Sequence, residues 1–334
     1  MSRQIGWFGL GSMGLGMALN LQKHLQAQGQ PALHYSNRSL GKGRSLQDAG
    51  ALPEKDFESL VRASDIIFTM VGVHLLQEGQ ILTIPEISTD DVLNDLVSKT
   101  LSSDASLDGK ILVDTSTIHP DTSASAAERL AERGATFIAS PVFGASPVAA
   151  AGKLIFAMAG PASALETVKP YTLDVMGRSI INMGEDVRKS SLLKICGNIL
   201  VISFMEILSE AHVFAEKTAL GSSQLEEFVA NMFGPVLESY SSRITSGSYA
   251  PPLLHQGGSP PGFAAALACK DMRHALNIAE AHGTSLPTTE VAYSRLTRAR
   301  EFAGEWLDSA AMYGTARQEA GLEFWNGASR RGNE

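Results

Sequence analysis

Cysteine and charged residues are both scarce in this chain of 334 residues. Its two cysteines, Cys196 and Cys269, lie far apart, and each has apolar neighbours. That number and spacing argue against a disulfide framework and against a zinc site, so we expect reduced, packed thiols. Charged residues make up 19% and hydrophobic residues 44% of the chain. Such a composition favours burial over disorder, and the length is sufficient for two cores.

The sequence also lacks a basic surface and a long hydrophobic run. Its net charge is −8, it has no long basic stretch, and aromatic residues make up 7%, which argues against a nucleic-acid partner. Asn198, Ser203 and Glu206 interrupt the most apolar stretch, 195–208, whereas a membrane span needs about 18 unbroken apolar residues. No secretory signal pattern precedes Ile5. We expect a soluble, cytoplasmic protein with a small-molecule substrate, no membrane partner and no metal.

The N-terminal half alternates short apolar runs with helical patterns, as βαβ units do. Strands are predicted at 5–8, 32–36, 65–70, 110–114, 136–139, 154–159 and 179–182. Helices are predicted between them at 14–28, 57–63, 121–133 and 162–175. The segment 82–108 is rich in Ser, Thr and Asp and is predicted to be a helix inside a long surface loop, with no assigned function. The predicted fold class is α/β, with a doubly wound parallel sheet of the Rossmann type.

After Gly184 the pattern becomes helical throughout. One long helix is predicted over 187–219, with Gly221 as its stop signal. Because it is apolar on most sides, other helices or a second subunit must bury it. Further helices are predicted at 223–241, 262–282, 289–303 and in a last segment ending at 325. We therefore predict a Rossmann-type domain over 1–183 and an all-helical domain over 184–334.

A glycine-rich turn lies between the first predicted strand and the first predicted helix. Its sequence is Gly9-Leu10-Gly11-Ser12-Met13-Gly14. In such a turn the first glycine permits the tight bend, the second lets the backbone approach a pyrophosphate, and the third allows close helix–strand packing. The strand–turn–helix context favours dinucleotide binding over a purely structural turn.

The residues after the second predicted strand indicate which dinucleotide binds. NAD enzymes usually carry an Asp or Glu there, bonded to the ribose 2′-hydroxyl. This chain has Asn37-Arg38-Ser39, followed by Lys42. A guanidinium can bind a 2′-phosphate with two parallel hydrogen bonds, so NADP is favoured over NAD. The alternative is that Arg38 and Lys42 are ordinary solvated charges.

Lys194 is the most informative residue of the second half, because it lies in the apolar run 192–196 of the predicted long helix. A lysine in such surroundings is rare unless it has a function or a partner. Asn198 follows one turn later on the same face. Hydride transfer between an alcohol and a carbonyl requires a proton to move at the oxygen, and a lysine can supply it. The alternative is a lysine that reaches solvent or closes a salt bridge.

Five motifs follow one another along the chain. They are the glycine-rich turn, Asp114-Thr115-Ser116-Thr117 before Pro120, Ser140-Pro141-Val142 with Gly144, Lys194-Ile195-Cys196-Gly197-Asn198, and Lys270-Asp271. With these motifs, most of the chain resembles the β-hydroxyacid dehydrogenase family, which includes 3-hydroxyisobutyrate dehydrogenases and relatives of 6-phosphogluconate dehydrogenase. The resemblance implies a Rossmann domain followed by a helical domain built around one long helix, in a protein that is commonly dimeric or larger. The helical domain would then serve substrate binding and dimerisation.

The resemblance also implies roles for individual residues. Lys194 matches the catalytic lysine, and Asn198 matches the asparagine that helps bind substrate. Thr117 matches a residue at the nicotinamide end of the cofactor, and Lys270 matches a lysine that reaches cofactor or substrate. Glu210 matches a recurrent glutamate of the family, which we interpret as structural.

Two departures from the family pattern bear on the substrate. Members that act on simple 3-hydroxy acids usually follow Pro-Val with Ser-Gly-Gly, which cradles the carboxylate. Here Phe143, Gly144 and Ala145 occupy those places, so we expect a substrate that is bulkier or less polar at that end. Gly197 stands where many members have a first asparagine.

The expected function is NADP-dependent interconversion of a 3-hydroxy acid, or a related small alcohol, and its carbonyl. Lys194 would be the general acid and base, with Phe143, Gly144, Ala145 and Asn198 at the substrate. One alternative is an imine reductase, which shares the fold but usually lacks this lysine. Another is a catalytically silent NADP-binding module.

Overall fold

The computed structural model describes residues 3–72, 89–250 and 261–329 of the chain. The chain forms two compact units, Met1–Lys194 and Ile195–Glu334, here called the N-terminal unit and the helical unit. The domain boundary predicted near Gly184 precedes the long helix, whereas the two units divide within it.

The N-terminal unit is built on a six-stranded parallel sheet. Its strands are β1 (Ile5–Phe8), β2 (His34–Ser36), β3 (Leu52–Pro53), β4 (Ile66–Thr69), β5 (Ile111–Asp114) and β6 (Thr136–Ala139). Their spatial order is β3-β2-β1-β4-β5-β6, which is the order of a doubly wound dinucleotide-binding fold. The predicted Rossmann-type sheet is thus confirmed. The sequence analysis missed β3, which has two residues and pairs with β2.

Helices cover both faces of this sheet. They are α1 (Ser12–Ala27), α2 (Arg44–Asp48), α3 (Phe57–Ala63), α4 (Thr89–Ser102), α5 (Pro120–Ala131), α6 (Ser146–Ala150) and α7 (Ala162–Thr172), with a 3-10 turn at Leu40–Gly43. Successive strand residues point to opposite faces. Phe68 accordingly lies in the core beneath α1, while its neighbour Ile67 lies in the core beneath α3, α4 and α5.

A second, smaller sheet holds the strands that follow β6. It consists of β7 (Val142–Phe143), β8 (Leu154–Met158) and β9 (Gly177–Asn182), with β7 antiparallel and β9 parallel to β8. The strands predicted at 154–159 and 179–182 exist but do not extend the parallel sheet. An antiparallel bridge between Ala139 and Ala159 links the two sheets.

The segment 82–108 differs from its prediction in the part that the structure describes. Residues 82–88 lie outside the described residues. From Thr89 onward the segment forms α4, whose Leu93, Leu96 and Val97 are buried against the sheet. The predicted helix therefore exists as α4, but it is a packed crossover helix between β4 and β5 and not part of a surface loop.

The helical unit contains most of α8 (Val187–Lys217), then α9 (Ser222–Phe233), α10 (Pro235–Thr245), α11 (Ala265–Ala281), α12 (Pro287–Ala303) and α13 (Met312–Glu319), with a 3-10 turn at Ser309–Ala311. This confirms the all-helical C-terminal part. The single helix predicted over 223–241 is in fact α9 and α10. They are separated by Gly234, whose φ is +76°, and Pro235, the first residue of α10, has no N–H with which α9 could continue.

Among the described helices, α8 has the length and mean hydropathy that a membrane span would need. Two of its polar residues, Glu206 and His212, are buried and have partners on other helices. Glu206 pairs with Arg295 of α12, and His212 Nε2 lies 2.7 Å from Ser241 Oγ of α10. The expectation of two packed thiols was half wrong, because Cys269 is buried while Cys196 is exposed on α8.

Candidate active site

The glycine-rich turn joins β1 to α1, and backbone contacts explain two of its glycines. Gly9 has φ +99°, and a Cβ there would lie 2.1 Å from the carbonyl oxygen of Met70. A Cβ on Gly14 would lie 2.1 Å from the carbonyl oxygen of Gly9. A Cβ on Gly11 would meet nothing within 4 Å. The turn is therefore packed against protein at its first and third glycines and open at its second, as a pyrophosphate requires.

The N-terminus of α1 fits the same group. Gly11 is the N-cap, no described side chain caps the helix, and its first turn carries no acidic residue. The first N–H groups of a helix attract anions when no side chain satisfies them. Ser12 is exposed at this end, Met13 is half-buried and Leu10 is buried. The residues present thus fit a dinucleotide phosphate at the start of α1.

Asn37 connects this turn to the loop after β2. Its Oδ1 accepts a hydrogen bond of 2.9 Å from Leu10 N, and its Nδ2 donates one of 2.9 Å to the Ser39 carbonyl. Arg38, Ser39 and Lys42 are exposed. Neither Arg38 nor Lys42 forms a salt bridge with a described residue. The structure therefore places two uncommitted cations at the end of β2, next to the glycine-rich turn.

The carboxyl ends of β4 and β5 are joined through Asp114. Its Oδ1 accepts hydrogen bonds from Thr69 Oγ1 at 2.7 Å and from Ser116 Oγ at 2.9 Å. Ser116 Oγ in turn accepts one from Val71 N at 2.8 Å. These bonds fix the loop that carries Thr117, which is half-buried. Asp114 belongs to a motif named in the sequence but was assigned no role; a carboxylate that directly follows the three apolar strand residues 111–113 was the available signal.

Burial has the largest effect on the pKa of the Asp114 carboxyl. It raises the pKa of this carboxyl to about 6, against the opposing effect of the hydrogen bonds from Thr69 and Ser116. The carboxyl group is fully enclosed, and its hydrogen-bond donors here are neutral.

Lys194 lies beside Phe143. The lysine Nζ is 4.6 Å from the centroid of the phenylalanine ring, within the range of a cation–π contact. Phe143 ends β7, beyond the carboxyl end of β6. Lys194 is half-buried, so the helix around it is more open than its apolar sequence predicted. Gly144 and Ala145 follow Phe143 and are exposed.

The first turns of α8 are fixed within the N-terminal unit. Ser190 Oγ donates a hydrogen bond to the Ala157 carbonyl of β8. Ser191 Oγ lies 2.9 Å from Ser123 Oγ of α5, and Val187 is buried in the core beneath α5. Lys194 thus has its position relative to β7 determined by contacts inside one unit.

Asn198 and Lys270 meet at one carboxylate in the helical unit. Asn198 Nδ2 donates to Asp271 Oδ2 at 2.5 Å, and Lys270 Nζ lies 3.0 Å from Asp271 Oδ1. All three side chains are buried. Asp271 was named in a motif but assigned no role; a charged pair at an apolar stretch of α11 was the available signal. Glu210 pairs with Arg295 at 2.9 Å.

Among the residues that the structure describes, no group of three or more His, Cys, Asp or Glu side chains could hold a metal ion.

Two family models match the chain. The NAD binding domain of 6-phosphogluconate dehydrogenase matches residues 4–184, and the NAD-binding model of NADP-dependent 3-hydroxyisobutyrate dehydrogenase matches residues 189–316.

Individual relatives are similar over nearly the whole chain. The NADH-dependent oxidoreductase ucdB of Aspergillus ustus is 28% identical over 93% of this chain and 98% of its own length. The 2-hydroxy-3-oxopropionate reductase of Escherichia coli is 28% identical over 92% of this chain and 95% of its own.

Solved structures share the fold. The 3-hydroxyisobutyrate dehydrogenase of Mycobacterium tuberculosis has a TM-score of 0.74 and 21% identity, covering 95% of this chain and 100% of its own. An imine reductase of Streptomyces aurantiacus has a TM-score of 0.58 and 18% identity, covering 95% and 99%. With the family model spanning more than half of the sequence, the chain belongs to the β-hydroxyacid dehydrogenase family of oxidoreductases with NAD(P)-binding Rossmann domains.

Proposed function

We propose that this protein is an NADP-dependent oxidoreductase that interconverts a 3-hydroxy acid, or a related small alcohol, and its carbonyl, with Lys194 as general acid and base. The observation that carries the proposal is the placement of Lys194. Its ammonium lies against Phe143, beyond the carboxyl end of β6. Ligands of doubly wound folds bind outside the carboxyl ends of the strands.

The glycine-rich turn and the loop after β2 would hold the cofactor. The open space at Gly11 and the uncapped start of α1 suit its pyrophosphate. Arg38 and Lys42 suit a 2′-phosphate, because both are exposed and neither is paired with a described carboxylate. Thr117 would contact the nicotinamide end. When bound, NADPH supplies the hydride for the carbonyl carbon.

The chain's own contribution to the chemistry is a proton. In the reductive direction Lys194 Nζ donates it to the carbonyl oxygen, and in the oxidative direction the neutral amine takes it from the hydroxyl. Asn198 would orient the substrate, with Lys270 at the cofactor or substrate, and Asp271 holds both side chains. Phe143, Gly144 and Ala145 would border the substrate.

We further propose that the protein is a homodimer or a larger homo-oligomer. Large apolar side chains on the helical unit are exposed, and such surfaces commonly mark protein interfaces. They include Leu200, Phe204, Ile207 and Phe214 on α8, and Phe228, Met232 and Phe233 on α9. Light scattering after size exclusion tests this, and a monomer at micromolar concentration would contradict it.

The function is tested by following NADPH oxidation against a panel of small aldehydes, keto acids and preformed imines. We expect turnover of carbonyl substrates by the wild type and its loss in Lys194→Met. Turnover restricted to imines would identify an imine reductase instead. NADPH binding without turnover across the whole panel would identify a silent binding module, and undiminished activity in Lys194→Met would remove the proposed proton donor.

A further inference from the structure

Phe143 departs from the family pattern, and its ring contacts the Lys194 amine on which the proposed function depends. The ring centroid is 4.6 Å from Lys194 Nζ. An aromatic face attracts an ammonium through its quadrupole, most strongly when both groups are partly withdrawn from water. Both residues are half-buried. A ring that only lined the apolar end of a substrate would not need this contact.

The backbone fixes the position of the ring. Val142 and Phe143 pair with Phe156 and Ile155 of β8 in antiparallel register. The chain then turns sharply at Gly144, where φ is +132° and a Cβ would lie 2.7 Å from Leu154 Cδ2. Phe143 therefore belongs to a small sheet with defined pairing and not to a free loop.

The same sheet fixes the helix that carries the lysine. Ser190 Oγ bonds to the carbonyl of Ala157 in β8, two residues along from Ile155. The ring and the helix are thus both attached to β8. Four carbon atoms with rotatable bonds separate the Lys194 Nζ from this framework. The ring face of Phe143 is a described contact that restricts the position of Nζ.

We propose that Phe143 is a positioning residue, which holds the Lys194 ammonium at the place where it meets the substrate oxygen. This inference rests on the proposed function and specifies how its proton donor is oriented. It also explains why this chain has Phe143 where the family has Ser-Gly-Gly: the ring would hold Lys194, and its presence would not only reflect a bulkier substrate. Small displacements of a catalytic group have large effects on rate, so the ring should act on kcat more than on KM.

The test compares substitutions that separate the aromatic face from apolar volume. Phe143→Leu keeps an apolar side chain and removes the face, while Phe143→Tyr keeps the face. We expect Phe143→Leu to lower kcat roughly tenfold, with the KM for the carbonyl and the Kd for NADPH within about twofold. Phe143→Tyr should retain most of the wild-type kcat. Phe143→Ile, whose branched side chain suits a strand, replaces Phe143→Leu if that variant does not fold.

A double-variant cycle shows whether the effect acts through the lysine. In a Lys194→Met background, Phe143→Leu should lower the residual rate no further, because the group it positions is gone. Phe302→Leu, a change to an exposed aromatic side chain of α12, is the control and should leave kcat unchanged.

Two results would overturn the positioning role while the proposed function stands: a wild-type kcat in Phe143→Leu with a raised KM, or an undiminished effect of Phe143→Leu in the Lys194→Met background. A wild type inactive on carbonyls, or a fully active Lys194→Met, would overturn the proposed function as well.

Discussion

The N-terminal unit and the helical unit bury carboxylates in different ways. In the N-terminal unit Asp114 is enclosed among hydroxyl and backbone donors at the strand ends, and no described cation pairs with it. In the helical unit Glu206, Asp271 and Asp308 each pair with a cation, namely Arg295, Lys270 and Arg243. Burial raises the pKa of Asp114 among neutral donors and of Glu206 beside a cation alike. The difference lies in what a substitution does: removing the cation of a buried pair leaves an unpaired charge, whereas Asp114 has no described cation to lose.

The largest expected effect is the loss of stability on breaking a buried ion pair of the helical unit. Arg295→Met leaves the buried Glu206 without its counter-ion, and burial already raises the pKa of Glu206 to about 7 against the opposing effect of Arg295. Losing one partner of a buried pair typically costs about 3–5 kcal/mol in the free energy of unfolding. Urea denaturation at pH 8 measures it, because Glu206 is ionised in the unfolded chain there, whereas the folded variant must either bind a proton or bury an unpaired charge. The added change Glu206→Gln should restore part of the loss.

The matched control for that prediction is Arg298→Met. Arg298 pairs with Glu319, but half of its side chain is exposed. Exposed pairs contribute about 0–1 kcal/mol. Equal losses of stability in the two arginine variants would contradict the distinction between buried and exposed pairs.

The next effect concerns the pH sensitivity of Asp114. Its pKa is raised from 3.8 to about 6 by burial, so the folded protein binds more protons than the unfolded chain between those values. Its contribution to stability is therefore present below pH 3.8 and is lost as the pH rises through about 6. Two pKa units correspond to about 3 kcal/mol. Asp114→Asn lacks this titration, so unfolding free energies of both proteins from pH 4 to pH 8 should diverge by that order. A constant difference would refute the assignment.

The smallest of the three effects concerns Arg38, an exposed cation that forms no salt bridge with a residue the structure describes. Arg38→Ala should weaken NADPH binding about tenfold or more, because hydrogen bonds to charged groups contribute about 1.5–3 kcal/mol. NADH binding and the melting temperature should stay unchanged. Arg44→Ala, at an exposed arginine that begins α2, is the control. The measurement is the Kd of each variant for NADPH and for NADH. Equal weakening of NADPH and NADH would rule out recognition of the 2′-phosphate.

Local sequence patterns predicted the N-terminal unit well because its functional groups follow strand ends. The glycine-rich turn and the residues after β2 needed only the alternation of apolar runs to be placed. Short strands and breaks between helices were harder to predict. β3 has two residues, which is too few for a periodic signal. The break between α9 and α10 carried a Gly234–Pro235 signal that an otherwise helical pattern concealed.

Contacts between distant residues could not be predicted from local pattern. The contact of the Lys194 ammonium with the Phe143 ring depends on two separate attachments to β8. One is the hydrogen bond from Ser190, and the other is the pairing of β7 with β8. The role of Asp271 depends on a hydrogen bond between a side chain of α8 and one of α11. In both cases the residue types were visible in the sequence, but their partners lie far along the chain.

The central claim is that Lys194 supplies a proton and not merely a positive charge. Lys194→Arg keeps the charge but provides a guanidinium that stays protonated in proteins. The direct measurement is kcat for carbonyl reduction at saturating NADPH, with the Kd for NADPH determined in parallel. We predict a loss of about 10²–10⁴-fold with an unchanged Kd. A variant that retains wild-type kcat would contradict the claim.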